Sequence, residues 1–212
     1  MDPYTALRAS RPEEFTNLSG GIEILTDPED VAKARERAGG SVGVVYADEY
    51  VTVVRDAVRF PDGRLGAYVR VLGSDREPGA VVLPLLGDSV VLVEHFRHAT
   101  RAWHVEAPRG FGEDGEPGEA GVRRELREEL GTEASELFDL GSVHPDSGLF
   151  GGHARLWAAR VASLGPLDVG EGLRRSLVVS PSEAEGMVRD GRITDAFTIA
   201  VLTRARMHGL LD

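Results

Sequence analysis

Three glutamates in one short segment are spaced for joint chemistry. In "RRELREEL", residues 123–130, Glu125, Glu128 and Glu129 stand at i, i+3 and i+4, so on a helix their carboxylates gather on one side. Val122, Leu126 and Leu130 recur every four residues and form an apolar stripe for a core. Pro117 suits the first turn of such a helix and Gly131 its C′ position. The wider stretch, residues 112–132, packs seven carboxylates and three arginines. Arg124 can reach Glu128 at i+4, but a surface pair of this kind contributes only about 0.3–0.5 kcal/mol and leaves the other acids uncompensated. Two readings follow. One is a solvated amphipathic helix whose acids face water. The other is a site for a hard divalent cation such as Mg²⁺, which takes one or two carboxylates, keeps waters and completes its shell with substrate phosphates. Helix geometry alone does not choose between them.

The spacing that leads into the helix does. Gly110 is followed by five residues, Glu116, seven residues, and then Arg124-Glu125-Leu126-Arg127-Glu128-Glu129-Leu130-Gly131. This resembles the signature of the Nudix hydrolases, G-x5-E-x7-R-E-U-x-E-E-x-G-U with U aliphatic, at every position but the last, where Thr132 stands. The likeness extends beyond this box at 110–132. "VVLVEHFRHATRAWHVEAPRGFGEDGE" resembles the segment before the helix in the ADP-ribose pyrophosphatase-like branch, "VTVVRDAVRFPDGRLGAYVRV" its N-terminal hairpin and "SPSEAEGMVRDGRITDAFTIAVL" its C-terminal helices. Together these cover about residues 42–205; the first forty residues match no such pattern.

The resemblance implies hydrolysis of a nucleoside diphosphate linked to another moiety, ADP-ribose or a nucleotide sugar above all, with Mg²⁺ or Mn²⁺ as cofactor. It makes Glu125 and Glu129 metal ligands, Glu128 a ligand or the base for the attacking water, and Arg124 the residue that holds these glutamates. The main-chain carbonyl of Arg109 is implied as a further metal ligand, while Glu116 orders the loop. Arg97 is the candidate to hold the diphosphate, since a guanidinium fork matches phosphate oxygens; the plain alternative is a strand-end arginine paired with Glu106. Glu106 could equally bond a ribose hydroxyl. Tyr50 stands where relatives stack an aromatic ring on adenine, and Arg55 where a polar substrate contact is plausible. A homodimer is implied as well, with N-terminal strands helping to build the partner's site. A nucleotide-sugar sensor on the same scaffold, binding without cleavage, is the competing expectation.

One loop departs from the branch. In "HPDSGLFGGHARLW", Pro145 and Gly148 resemble its P-x-x-G loop, but the glutamate that commonly follows four residues later is replaced by Gly152. Either Glu128 serves as base, or Asp146 or His153 substitutes, or hydrolysis is impaired. The glycines suggest a mobile loop. His95, His98, His104, His144 and His153 contain no H-x-x-x-H pair, so a histidine metal site is not indicated.

These groups need a scaffold, and the rest of the chain supplies an α/β one. Valine-rich runs from Val42, a "PDG" turn at 61–63 and the runs "AVVLPLL", "SVVLVEHF" and "AWHVEA" read as short strands before the acidic helix. Strands at 137–143, 153–161 and 174–180 and helices near 182–190 and 194–208 follow. With the resemblance, this predicts an α/β (α+β) fold: a Nudix α/β/α sandwich with a mixed sheet at 76–212, and an N-terminal antiparallel β lobe at 41–75 that serves dimerisation. Residues 1–40 read as a partly irregular extension with one helix, capped by Asp27 and Pro28 and ended by Gly39. The net charge of −11 argues against nucleic acid or an anionic membrane as the main partner and leaves a small-molecule nucleotide. The absence of cysteine excludes disulfides and thiolate zinc sites. "MDPYTALRAS" does not read as a signal peptide, and a cytoplasmic location is expected.

Overall fold

The computed structural model describes residues 2–73, 78–113, 115–116 and 118–211. Pro117, expected in the first turn of the acidic helix, and Asp114 lie outside the described residues. The chain divides into two compact units, residues 1–74 with 146–152, and residues 75–145 with 153–212.

In the first unit, the described residues 2–40 hold two α-helices rather than the expected one helix: α1 (Pro3–Ser10) and α2 (Pro28–Ala38). Both start alike. The Asp2 carboxylate accepts from the N–H groups of Tyr4 and Thr5 at 3.1 Å, and Asp27 does the same for Glu29 and Asp30, with a proline just inside each helix. The first helix escapes a reading by periodicity because it buries no residue fully; only Tyr4 and Leu7 pack, against Phe15, Val54 and Leu72. A short strand β1 (Glu23–Ile24) precedes α2, and β2 (Gly43–Ala47), β3 (Val51–Arg59) and β4 (Leu65–Gly73) follow it. β3 is the centre of this antiparallel sheet. β4 runs along one edge from Val51↔Gly73 to Arg59↔Leu65, and β2 and β1 share the other. The "PDG" turn joins β3 to β4, with Gly63 in the left-handed region at φ 83° and its N–H bonded to the Phe60 carbonyl at 2.8 Å.

The loop 146–152 belongs to this unit and is not loose. The Val71 N–H donates to the Leu149 carbonyl (2.8 Å), the Gly151 N–H to the Val71 carbonyl (2.9 Å), and the Tyr68 hydroxyl to the Gly148 carbonyl (2.7 Å). Residues that suggest mobility by composition are thus held along β4. At Gly152 a Cβ would lie 2.6 Å from the Phe150 ring. The space a side chain would need at this position is filled by Phe150.

The second unit is a three-layer sandwich. Its strands are β5 (Gly79–Leu86), β6 (Ser89–Arg97), β7 (Ala102–Glu106), β8 (Arg109–Gly110), β9 (Ala134–Val143), β10 (Ala154–Val161) and β11 (Leu173–Val179). The order is β11-β6-β5-β10-β9, with β5 and β10 parallel and the other pairings antiparallel. Alternation along the strands divides the core. Val82, Val91 and Val93 face α3 (Gly118–Leu130), whereas Val81, Leu83, Val90 and Leu92 face α4 (Pro181–Arg189) and α5 (Ala196–Met207). Among the described residues no helix is long and apolar enough to cross a membrane.

The feature that positions the site is a split between two strands. β5 and β6 pair only next to their connecting turn, at Leu85↔Val90 and Leu86↔Ser89, and then separate. β7 takes over the free edge of β6 from Val93↔Glu106 onward, and β8 takes the edge of β5 at Ala80↔Gly110 and Val81↔Arg109. The segment Glu106–Gly110 therefore lies in the opening, against Glu125 and Glu129 of α3.

The far end of α3 is fixed as tightly. Gly131 adopts φ 56°, and a Cβ there would come within 3.0 Å of Pro166 and 3.1 Å of the Gly165 backbone. Thr132, where an aliphatic residue is usual, is buried and its hydroxyl donates to the Ser163 carbonyl at 2.6 Å. Gly131→Ala is expected to cost roughly 1–3 kcal/mol, from the left-handed backbone and the crowding together. Urea unfolding of the variant against the wild-type protein measures it, and an unchanged midpoint would refute this account of the helix end.

Candidate active site

α3 presents its apolar stripe to the sheet, and Val122, Leu126 and Leu130 are at most 1% exposed. Each contributes about 2 kcal/mol by burial, which is what allows the helix to carry acids into the same interface. Glu125 and Glu129 flank the stripe and are buried, while Glu128 points outward and is exposed. Burial is the largest influence on both inner acids, because a carboxylate loses its hydration there. It raises the Glu125 pKa, with the charges of Glu128 and Glu171 adding to it and Arg124 opposing. Glu129 is pushed up to about 8, by burial first and by the charge of Glu125 second; Arg97 and a hydrogen bond from the Arg109 N–H pull the other way. One oxygen of Glu129, Oε2, is buried without any hydrogen-bond partner.

Gly110 makes room for this arrangement, since a Cβ there would overlap the Glu125 carboxylate. Arg124 balances the acids. Its guanidinium donates to Glu125 Oε1 at 2.7 Å, to Glu128 Oε2 at 2.8 Å and to the Phe111 carbonyl at 2.9 Å, and it meets both oxygens of Glu116 at 3.3–3.4 Å. Glu116 and the Phe111 carbonyl belong to the loop before α3, so one side chain joins that loop to the helix.

The strand side of the opening carries a second charged group. Glu106, 1% exposed, forms an ion pair with Arg97 and lies 3.7 Å from the Arg109 guanidinium. Burial raises its pKa, and Arg97 and Arg109 restrain the rise. His95 lies 3.5 Å from Glu106, but burial and the neighbouring charges of Arg97 and Arg109 lower its pKa to about 4. It is therefore neutral near pH 7, and its contact with Glu106 is not an ion pair.

Of the residues singled out by sequence, Arg97, Glu106, Arg109, Arg124, Glu125, Glu128 and Glu129 all lie within the second unit and interact with one another there. Tyr50 and Arg55 belong to the first. Tyr50 is 49% exposed in the turn between β2 and β3. Arg55 donates to the carbonyls of Ala38, Gly39 and Ser41 and so caps the C-terminal end of α2. His144 and His153 bring their rings to 5.8 Å at the two ends of the loop 145–152. Among the described residues no three carboxylate or imidazole groups form a metal cage. α3 instead offers two buried carboxylates, one with an oxygen lacking any partner. That donor set fits a hard cation that keeps waters and takes substrate oxygens, and it does not fit a zinc site closed by protein ligands.

Two further residues gather here that sequence reasoning passed over. Glu171, in the short turn Val169–Glu171 before β11, is near enough for its charge to act on Glu125, and a backbone hydrogen bond links it with His95. No spacing rule marks it; it is one acid between two glycines. Asp195 caps α5 and lies 3.5 Å from the Arg109 guanidinium. Its capping role is legible in "TDAFT", but its contact with a residue 86 positions earlier, Arg109, is not.

A family model described as the NUDIX domain matches residues 75–188, more than half of the chain. The chain belongs to the Nudix family. Nudix hydrolases cleave the pyrophosphate of nucleoside diphosphate derivatives, and the buried acids of α3 lie within the matched residues. Among solved structures, that of an ADP compounds hydrolase is similar to this Nudix chain with a TM-score of 0.71 and 19% sequence identity. The match covers 91% of this chain and 96% of the other. At that identity the likeness speaks for the fold. No curated protein sequence matches the chain.

The pKa of Glu129 carries a consequence for the metal-free protein. A carboxylate near 4.5 when unfolded and near 8 when folded binds more protons in the native state between those values. Stability therefore falls as pH rises from about 5 to about 8 and levels off above. The loss is expected to be on the order of 1–3 kcal/mol, read by urea unfolding in EDTA across this range. Glu129→Gln should flatten that slope, and Mn²⁺ should restore more stability at pH 8 than at pH 5. A pH-independent midpoint in the wild-type protein would contradict the buried-carboxylate picture.

Proposed function

We propose that this Nudix hydrolase cleaves ADP-ribose or a closely related nucleotide sugar into a nucleoside monophosphate and a sugar phosphate. The observation that carries this reading is the pairing, across one opening in the sheet, of two buried acids on α3 with an arginine–glutamate pair on β6 and β7. A nucleotide sugar offers groups for both sides, diphosphate oxygens for Arg97 and ribose hydroxyls for Glu106. The likeness to an ADP compounds hydrolase supports an adenosine diphosphate substrate.

Mg²⁺ or Mn²⁺, held by Glu125, Glu129 and the Arg109 carbonyl, would neutralise phosphate oxygens and make the phosphorus open to attack. The remaining roles fall to side chains. Arg97 holds the diphosphate, and Arg124 keeps Glu125 and Glu128 in place and links them to the loop before α3. A water forms a new P–O bond, the P–O–P bridge breaks, and the bridging oxygen leaves with the departing phosphate. The water's proton passes to a carboxylate. Gly152 offers none, and one oxygen of Glu128 is already bonded to Arg124, so Glu171 is the better-placed acceptor, with Glu128 second. Tyr50 and Arg55 are proposed as substrate contacts of the N-terminal lobe, and the protein as a cytoplasmic homodimer in which residues 41–75 serve the association.

A second reading has one observation in its favour. Phe150 fills the space where a glutamate at position 152 would stand, and a nucleotide-sugar sensor could dispense with that acid. Purified protein with Mg²⁺ or Mn²⁺ and a panel of nucleotide sugars and dinucleotides separates the two readings. Release of a phosphomonoester from ADP-ribose is expected, whereas tight binding by calorimetry without turnover would establish the sensor. Glu171→Gln is expected to lower kcat about a hundredfold or more with KM little changed. If Glu128→Gln alone has that effect, the base is Glu128.

A further inference from the structure

The N-terminal end of α5 touches the site through two residues to which nothing so far gives a catalytic purpose. Asp195 is the N-cap of α5, and its Oδ2 accepts from the Thr198 N–H at 2.8 Å and the Thr198 hydroxyl at 2.7 Å. That leaves the Thr198 oxygen free to accept, and it takes the Ala107 N–H at 2.9 Å, across 91 residues of sequence. Thr198 is fully buried. The other oxygen of Asp195, Oδ1, faces the Arg109 guanidinium at 3.5 Å, while the Phe197 ring lies 5.1 Å from that guanidinium.

These contacts converge on the segment Glu106–Arg109 that fills the split between β5 and β6. Three polar groups of its backbone are anchored. The Ala107 N–H goes to Thr198, Pro108 has no N–H and its carbonyl accepts from Val82 at 2.9 Å, and the Arg109 N–H bonds Glu129. Glu106, which pairs with Arg97, directly precedes the first anchor. The Arg109 side chain is shared between Glu106 and Asp195. If Asp195 were neutral, Arg109 would turn its attraction onto Glu106 alone and compete with Arg97 for that carboxylate.

We propose that Asp195 and Thr198 are positioning residues of the active site, which set the placement of Arg97 and Glu129 through Glu106, Ala107 and Arg109. The inference rests on the hydrolase reading above and adds α5 to the machinery. It separates from a merely structural role because the two oxygens of Asp195 do different work. Asparagine caps helices as well as aspartate does, so Asp195→Asn keeps the α5 cap and removes only the charge that faces Arg109. Thr198→Val keeps shape and removes the acceptor of the Ala107 N–H, and Thr198→Ser restores it.

The test compares the wild-type protein with Asp195→Asn, Thr198→Val and Thr198→Ser in two measurements. One is the affinity for ADP-ribose in EDTA by calorimetry, where no turnover intrudes; the other is steady-state hydrolysis with Mg²⁺. Asp195→Asn is expected to melt within a few degrees of wild type, to bind ADP-ribose about three- to tenfold more weakly and to raise KM by a similar factor with kcat within about twofold. Thr198→Val is expected to lower kcat/KM at least tenfold, and Thr198→Ser to recover it to within about threefold. Should Thr198→Val fail to fold, Asp195→Asn and Thr198→Ser carry the comparison. Wild-type turnover with unchanged binding and kinetics in Asp195→Asn would overturn this inference alone. A wild-type protein that neither binds nor cleaves any compound of the panel would overturn the hydrolase reading and this inference with it.

Discussion

Two carboxylates buried on one helix impose the constraint around which the second unit is built. Glu125 and Glu129 lie one turn apart on the inner side of α3, where like charges repel strongly and water does not screen them. Nothing in the helix itself makes that arrangement favourable. The apolar stripe of Val122, Leu126 and Leu130 supplies the burial that holds the helix down. Arg124 from one side and Arg97 from the other supply the opposing charge. Gly110 supplies the space.

The split between β5 and β6 answers the same constraint from the sheet side. A continuous sheet would present only alternating apolar side chains to α3. By letting β7 and β8 fill the gap, the fold brings backbone N–H groups and two arginines to a place where a regular ladder would have had all its hydrogen bonds satisfied internally. The site is thus an interruption of regular structure that the surrounding core over-determines. Its long-range links, such as Ala107 to Thr198 and Arg109 to Asp195, keep the interruption in one conformation.

Much of this was legible in the sequence. The apolar period of α3, the cap pair at Asp27 and Pro28, the "PDG" hairpin and the spacing from Gly110 to Gly131 all rest on local rules of three to seven residues. Where the reading fell short, the deciding contact was distant. α1 escaped periodicity because it packs through Tyr4 and Leu7 against residues from β3 and β4 without burying a full face. The loop 146–152 looks mobile by its glycines, yet β4 holds it by hydrogen bonds from residues some eighty positions away. The hydrogen bonds of Arg55 to the end of α2 reach back 14–17 positions along the chain and follow no local rule.

The identity of the acids, their order along one helix and the family to which they belong all follow from residue type and from spacing within a single element. Which of them are buried depends on packing against the sheet, and burial is what makes Glu125 and Glu129 hard to ionise. Glu125, Glu128 and Glu129 are alike in sequence, but Glu125 and Glu129 face the split sheet, where burial raises their pKa values, that of Glu129 to about 8. Tertiary structure likewise closed position 152 with Phe150 and brought Glu171 toward Glu125. Electrostatic energy depends on distance and solvent access in three dimensions, and no spacing rule along the chain encodes either.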